Sequence, residues 1–256
     1  MSEGRSGTAL VTGAARRIGR ALALDLAEQG HAVCVHYRDS AEDADSLARE
    51  IAGAGGRSAA IRADLRDEAA VRDLVGAAAS ALGPVTVLVN NASVFENDDA
   101  LTATRATWDA HMEINLRAPF VLAQEFARAL PAGVEGNIVN LIDERVWKPT
   151  PFFASYTLSK SALWTLTRTL ALALAPRIRV NAIGPGPTLP SPRQSAAQFA
   201  RQVAALPLRR AASLEEICAA LRFILAAASM TGQMIALDGG QHLGWAHPRP
   251  DEAPEE

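Results

Sequence analysis

The sequence predicts an α/β protein: a parallel sheet covered by helices on both faces. Two observations carry this. Short apolar runs alternate with longer helical patterns along the whole chain, and that order requires parallel strands joined by crossover helices. The first apolar run also ends in a glycine-bearing turn that opens a helix, which is how a doubly wound sheet begins. A chain of 256 residues, 49% hydrophobic and 21% charged, supplies enough apolar material for one large core. No second domain and no repeat is legible. Residues 1–246 therefore read as a single domain, and His247 to Glu256, proline-rich and acidic, as a loose tail.

In chain order, Thr8 to Val11 is the first strand, followed by T-G-A-A-R-R-I-G and a helical pattern closed by Gly30 as a C-cap signal. Ala32 to Val35 is the second strand. Ser40 to Gly55 is an alanine-rich helix with Ser40 as its expected N-cap. Ser58 to Ile61 is a third strand and Asp67 to Leu82 a helix. Thr86 to Val89 is a fourth strand running into Asn90-Asn91-Ala92-Ser93. Thr104 to Leu130 reads as a short helix and then a long one. Asn137 to Ile142 is a fifth strand, Ser155 to Ala175 a long helix stopped by Pro176, and Ile178 to Ala182 a sixth strand. Gly184 to Ser213 carries five prolines and reads as a long functional loop with a short helix near Ala196 to Leu206. Ser213-Leu-Glu-Glu216 is a capping box opening a helix to about Ala228, and Met234 to Leu237 is the last strand.

Composition narrows the function. The net charge is −3 and the arginines are scattered, which gives no basis for nucleic-acid binding. No apolar run reaches the ~20 residues of a membrane span, and the first residues show no export signal, so a cytoplasmic protein is expected. Cys34 and Cys218 have no metal or redox spacing and read as small core residues. No metal site is expected.

The chemistry concentrates between Asn140 and Lys160. Tyr156 and Lys160 are four apart on a helix, so phenol and ammonium share one face. A nearby cation favours the phenolate, which makes the pair a proton donor to a group receiving a hydride. Asp143 lies at the end of the fifth strand. In the first turn, Gly13 and Gly19 allow close backbone approach and the helix N-terminus attracts a pyrophosphate, with Arg16 and Arg17 at its mouth. An NAD site places an acid at the end of the second strand for the ribose 2′-hydroxyl. Here the residues are His36, Tyr37 and Arg38, so Arg38 and Arg16, with help from His36 and Tyr37, are expected to hold the 2′-phosphate of NADP. Phe95 follows the fourth strand at the crevice where open α/β sheets bind ligands. Asn115 sits within a helical pattern.

T-G-x-x-x-x-x-G, N-N-A, Asn115, Y-x-x-x-K, Pro185-Gly186 and a terminal D-G-G occur in order. This set resembles the short-chain dehydrogenase/reductases over about residues 8 to 243. The resemblance implies a single Rossmann-type domain of about seven strands, usually in a homotetramer. It implies Tyr156 as proton donor, Lys160 as the residue that lowers its pKa and binds the nicotinamide ribose, and Asn115 as holder of a relay water. Cofactor contacts are implied for Ile18, Asp64, Leu65, Asn91, Ala92, Ser93, Pro185 and Gly186. Three positions depart from the common pattern: Asp143 where serine is usual, Arg17 for glycine and Ser93 for glycine. These, with H-Y-R and Phe95, resemble the pteridine reductase subgroup. That likeness implies a pterin ring between the nicotinamide and Phe95, contacts from Arg17 and Ser93, and Asp143 joined to Tyr156 in proton delivery. The expected activity is NADPH-dependent reduction of a dihydropterin. A carbonyl or 3-oxoacyl reductase and a non-catalytic NADP-binding regulator are the competing readings.

Overall fold

The structure, a computed structural model, describes residues 7–191 and 193–244. The tail anticipated from His247 onward lies outside the described residues. Seven parallel strands form one sheet: β1 (Thr8–Val11), β2 (Ala32–Tyr37), β3 (Ser58–Arg62), β4 (Val85–Asn90), β5 (Gly136–Leu141), β6 (Ile178–Pro185) and β7 (Met234–Leu237). Their order is β3-β2-β1-β4-β5-β6-β7. The chain winds outward from β1 in one direction and from β4 in the other. The carboxyl ends of β1 and β4 therefore diverge into a crevice, the place where such sheets bind ligands.

The central strands are apolar on both faces because both faces are covered. In β1, Ala9 and Val11 point into one core layer and Leu10 into the other. The first layer is closed by α1 (Arg17–Glu28), α2 (Ala41–Gly53) and α8 (Leu214–Ala226), which bury Leu22, Leu26, Leu47, Ile217 and Leu221. The second is closed by α3 (Glu68–Leu82) and α5 (Ala118–Ala129), through Leu74, Val75, Leu122 and Phe126, with Leu170 of α6 (Ala154–Leu174) at its edge.

Local signals set the helix ends, with one difference from expectation. Ser213 and Glu216 form the reciprocal capping box of α8. Ser40 occupies the N-cap position of α2, but its side chain makes no capping hydrogen bond. Asp67 is an effective cap, accepting from Ala69 N and Ala70 N at the start of α3. Between α4 (Arg105–Met112) and α5 the helix loosens into a π-helical turn, Glu113–Arg117, centred on Asn115. Strand β6 extends to Pro185, pairing Ala182 to Pro185 with β7. The long loop is correspondingly shorter than the sequence suggests and contains α7 (Ala196–Ala204), which buries no residue.

Candidate active site

The crevice divides into two adjoining clefts. The first opens at the β1–α1 turn. Gly13 has φ +61°, a left-handed conformation that favours glycine, and a Cβ there would lie 3.0 Å from Ala92 Cα. A Cβ on Gly19 would lie 2.3 Å from Gly13 O. The turn is tied to the end of β4: Asn91 Nδ2 donates to Thr12 O at 2.8 Å and to Gly13 O at 3.1 Å, while Asn91 N and Ala92 N both donate to Thr12 Oγ1 at 3.0 Å. Among the described residues no side chain caps the N-terminus of α1. Its leading N–H groups are thus left for an anion. That open helix end fits the pyrophosphate of a dinucleotide.

Ile18, Tyr37, Asp64 and Leu65 line this cleft with the expected cations. Arg16 pairs with Asp43 at 2.5 Å and Arg38 with Asp39 at 2.5 Å, both at exposed positions where an ion pair is weak and readily exchanged for a phosphate. Arg66 hydrogen-bonds Asp64 and holds that carboxyl down at about 2. His36 differs from the reading of it as a phosphate ligand. It is 2% exposed, and both ring nitrogens are engaged: Nδ1 accepts from Gly13 N at 3.0 Å and Nε2 donates to Ala63 O at 3.1 Å. Burial pushes its pKa down to about 4, so at neutral pH it is an uncharged brace for the turn.

The second cleft lies over the carboxyl ends of β5 and β6. Just beyond β5, Asp143 caps a single 3₁₀ turn, Glu144–Val146, by accepting from Arg145 N at 2.9 Å. Its other oxygen accepts from Tyr156 OH at 2.8 Å. Tyr156 and Lys160 come from the first turns of α6, as their spacing requires. Lys160 is 2% exposed, donates to Leu141 O at 2.8 Å and lies 5.8 Å from the Tyr156 ring centroid. Burial lowers its pKa to about 8, and the Asp143 charge opposes that shift. Asn115 is fully buried. Its Oδ1 accepts from Val94 N at 2.8 Å and Ser93 Oγ at 3.2 Å, and its Nδ2 donates to Val94 O at 2.9 Å and Ser159 Oγ at 3.1 Å. The side chain thus clamps the Ser93–Phe95 segment against α6.

Phe95 lines this cleft. It stacks on Phe153 at 4.3 Å with the planes 12° apart and meets Tyr156 edge-on at 4.6 Å. Arg17, at φ +56°, reaches across the mouth rather than toward the α1 N-terminus, donating to Pro190 O at 2.9 Å and Leu189 O at 3.2 Å. Arg193 spans the other side, to Phe95 O at 2.5 Å and Glu96 at 2.7 Å. The segment after Pro185-Gly186 is therefore stapled over the cleft at two points. Glu144, Arg145, Phe153 and Ser159 belong to the site without having been singled out from the sequence. The signal for the first two was available: D-E-R places three charges directly after a buried strand.

A tyrosine hydroxyl and a buried lysine beside a dinucleotide-type cleft define a hydride-transferring oxidoreductase. Comparison with known proteins makes the class specific: a family model described as enoyl-(acyl carrier protein) reductase matches residues 13–242. The chain belongs to the short-chain dehydrogenase/reductase family. Two solved structures are similar at high coverage. FolM alternative dihydrofolate reductase 1 from Brucella canis, complexed with NADP, is 50% identical with a TM-score of 0.92, over 97% of this chain and 98% of that one. Its counterpart from Brucella suis, also in complex with NADP, is 51% identical with a TM-score of 0.92, over 97% and 99%. The 3-oxoacyl-[acyl-carrier-protein] reductase FabG of Staphylococcus epidermidis is 32% identical over 92% of this chain and 99% of its own.

Proposed function

We propose that the protein reduces a dihydropterin to its tetrahydro form with NADPH. The carrying observation is the hydrogen bond of 2.8 Å from Tyr156 to Asp143, in the cleft that Phe95 lines. A carbonyl reductase needs neutral donors where an alkoxide develops, and a carboxylate there repels it. Reduction of a ring C=N instead leaves a nitrogen to be protonated, and a carboxyl beside the tyrosine holds or relays that proton. The 50% identity to an NADP-bound alternative dihydrofolate reductase supports the same substrate class.

The cofactor, when bound, supplies the hydride. The α1 N-terminus and Gly13 would receive its pyrophosphate, Arg16 and Arg38 its 2′-phosphate, and Lys160 its nicotinamide-side ribose. Tyr156 would donate the proton to the ring nitrogen, and Asp143, which accepts from the Tyr156 hydroxyl, would relay its replacement. Phe95 gives the ring an aromatic face, worth about 0.5–1.5 kcal/mol beyond area burial.

The similarity to FabG supports a second reading, reduction of a 3-oxoacyl thioester. NADPH oxidation with dihydrobiopterin, dihydromonapterin, dihydrofolate and a 3-oxoacyl thioester, side by side, decides between them. A dihydropterin is expected to have the highest kcat/KM, and Phe95→Ala to raise its KM several-fold with a smaller effect on a small ketone. A thioester turned over far faster than every dihydropterin would replace this reading with the carbonyl one.

A further inference from the structure

We infer that Arg145 is a positioning residue, whose guanidinium holds the Asp143 carboxylate toward Tyr156 and braces the Phe95–Phe153 stack, so that proton delivery and ring binding share one support. This rests on the pterin reading for the ring that the stack would seat. The geometry involves both partners. Arg145 Nη1 lies 3.4 Å from Asp143 Oδ2, the oxygen that accepts from Tyr156 OH, and Arg145 N fixes Oδ1 at 2.9 Å. The same guanidinium carbon lies 5.3 Å from the Phe95 centroid and 5.2 Å from that of Phe153, within cation–π range of both. The side chains of Arg145 and Asp143 are 12% and 14% exposed, where charges act on each other more strongly than at the surface.

The charges around this pair have a definite arrangement. Asp143 is faced by Tyr156 and Lys160 from α6 and by Glu144 and Arg145 from its own turn. Glu144, 3% exposed, is faced in turn by Asp238 beyond β7 and by Lys148. Burial, with Asp143 adding to it, pushes the Glu144 carboxyl up to about 8. Asp143 itself lies between the Arg145 guanidinium and the Lys160 ammonium. A planar guanidinium can serve a carboxylate and an aromatic face together; an ammonium keeps the charge and loses that fit.

The test compares kcat and KM against pH in the wild type, Arg145→Met, Arg145→Lys and Asp143→Asn, with NADPH affinity measured in each. The limb of the kcat profile that Asp143→Asn abolishes is the one Asp143 governs. Removing a neighbouring cation disfavours the charged carboxylate, so in Arg145→Met that limb is expected to move to higher pH. KM for the dihydropterin is expected to rise several-fold with NADPH affinity unchanged. Arg145→Lys should restore the limb but not KM, and it keeps the inference testable should the methionine variant fold poorly. A limb that stays in place in Arg145→Met, no limb lost in Asp143→Asn, or a wild-type KM in Arg145→Lys would overturn it. If the wild type turns over only the thioester, the pterin reading fails first; the same profiles taken with that substrate still test the Asp143 half.

Discussion

Tyr156 shows how much one residue type at one spacing can carry. Its ring packs edge-on against Phe95 and lies 5.9 Å from the His111 ring, so Tyr156→Phe removes the hydroxyl and keeps the packing. Such a variant is expected to bind NADPH normally and to lose turnover by ~10²–10⁴-fold, toward the smaller end where the Asp143 carboxyl provides a second proton route. Steady-state kcat with a cofactor titration checks this, and a variant at full rate would place proton delivery elsewhere. Tyr156 and Lys160 were legible because helical spacing alone puts them on one face. Arg145 was not, because its partners Phe95 and Phe153 come from the β4 exit and the entry to α6, and only the folded sheet brings those together. His36 was legible as a residue at the right strand end but not as a buried brace, since burial there depends on how β3 pairs with β2.

Elements show the same division. The capping box of α8 was readable because Ser213 and Glu216 contact each other directly. The cap of α2 was not, because Ser40 has a suitable side chain in a backbone conformation, φ −93° and ψ 56°, that leaves the bond unmade. The π turn at Asn115 was not anticipated from the sequence; there Asn115 bonds the Ser93–Val94 segment, far away in the chain. At the end of β2 Arg38 is exposed and paired with the adjacent Asp39, and both line the first cleft. NADPH is accordingly expected to bind more tightly than NADH, and Arg38→Asp to lower or reverse that preference by trading an attraction for the 2′-phosphate for a repulsion. Paired fluorescence titrations measure both. Equal affinities in the wild type would remove the basis for the assignment.

At the scale of the molecule, the alternation of runs established a parallel sheet. Right-handed crossovers let a βαβ chain wind to either side of a centre, and the strand order itself is fixed only in the fold. That order brings β1, β2 and β3 side by side, and His36 spans all three through its bonds to the Gly13 turn and to Ala63. The brace has a consequence for acid. Its Nδ1 is an acceptor for the Gly13 amide, and a proton on that nitrogen turns it into a donor facing a donor. The imidazole titrates near 6.5 when unfolded and at about 4 in the fold. The unfolded chain thus binds the extra proton first: the contribution is intact above pH 6.5, falls as the pH drops through that window, and has reached its full loss of about 3 kcal/mol below pH 4. Thermal denaturation from pH 7 to 4 should show a fall in Tm that is shallower in His36→Gln, whose side chain carries no titrating group. Above about pH 4 the folded protein keeps this imidazole neutral, so acid lowers the stability of the fold as a whole before it disturbs the glycine turn itself.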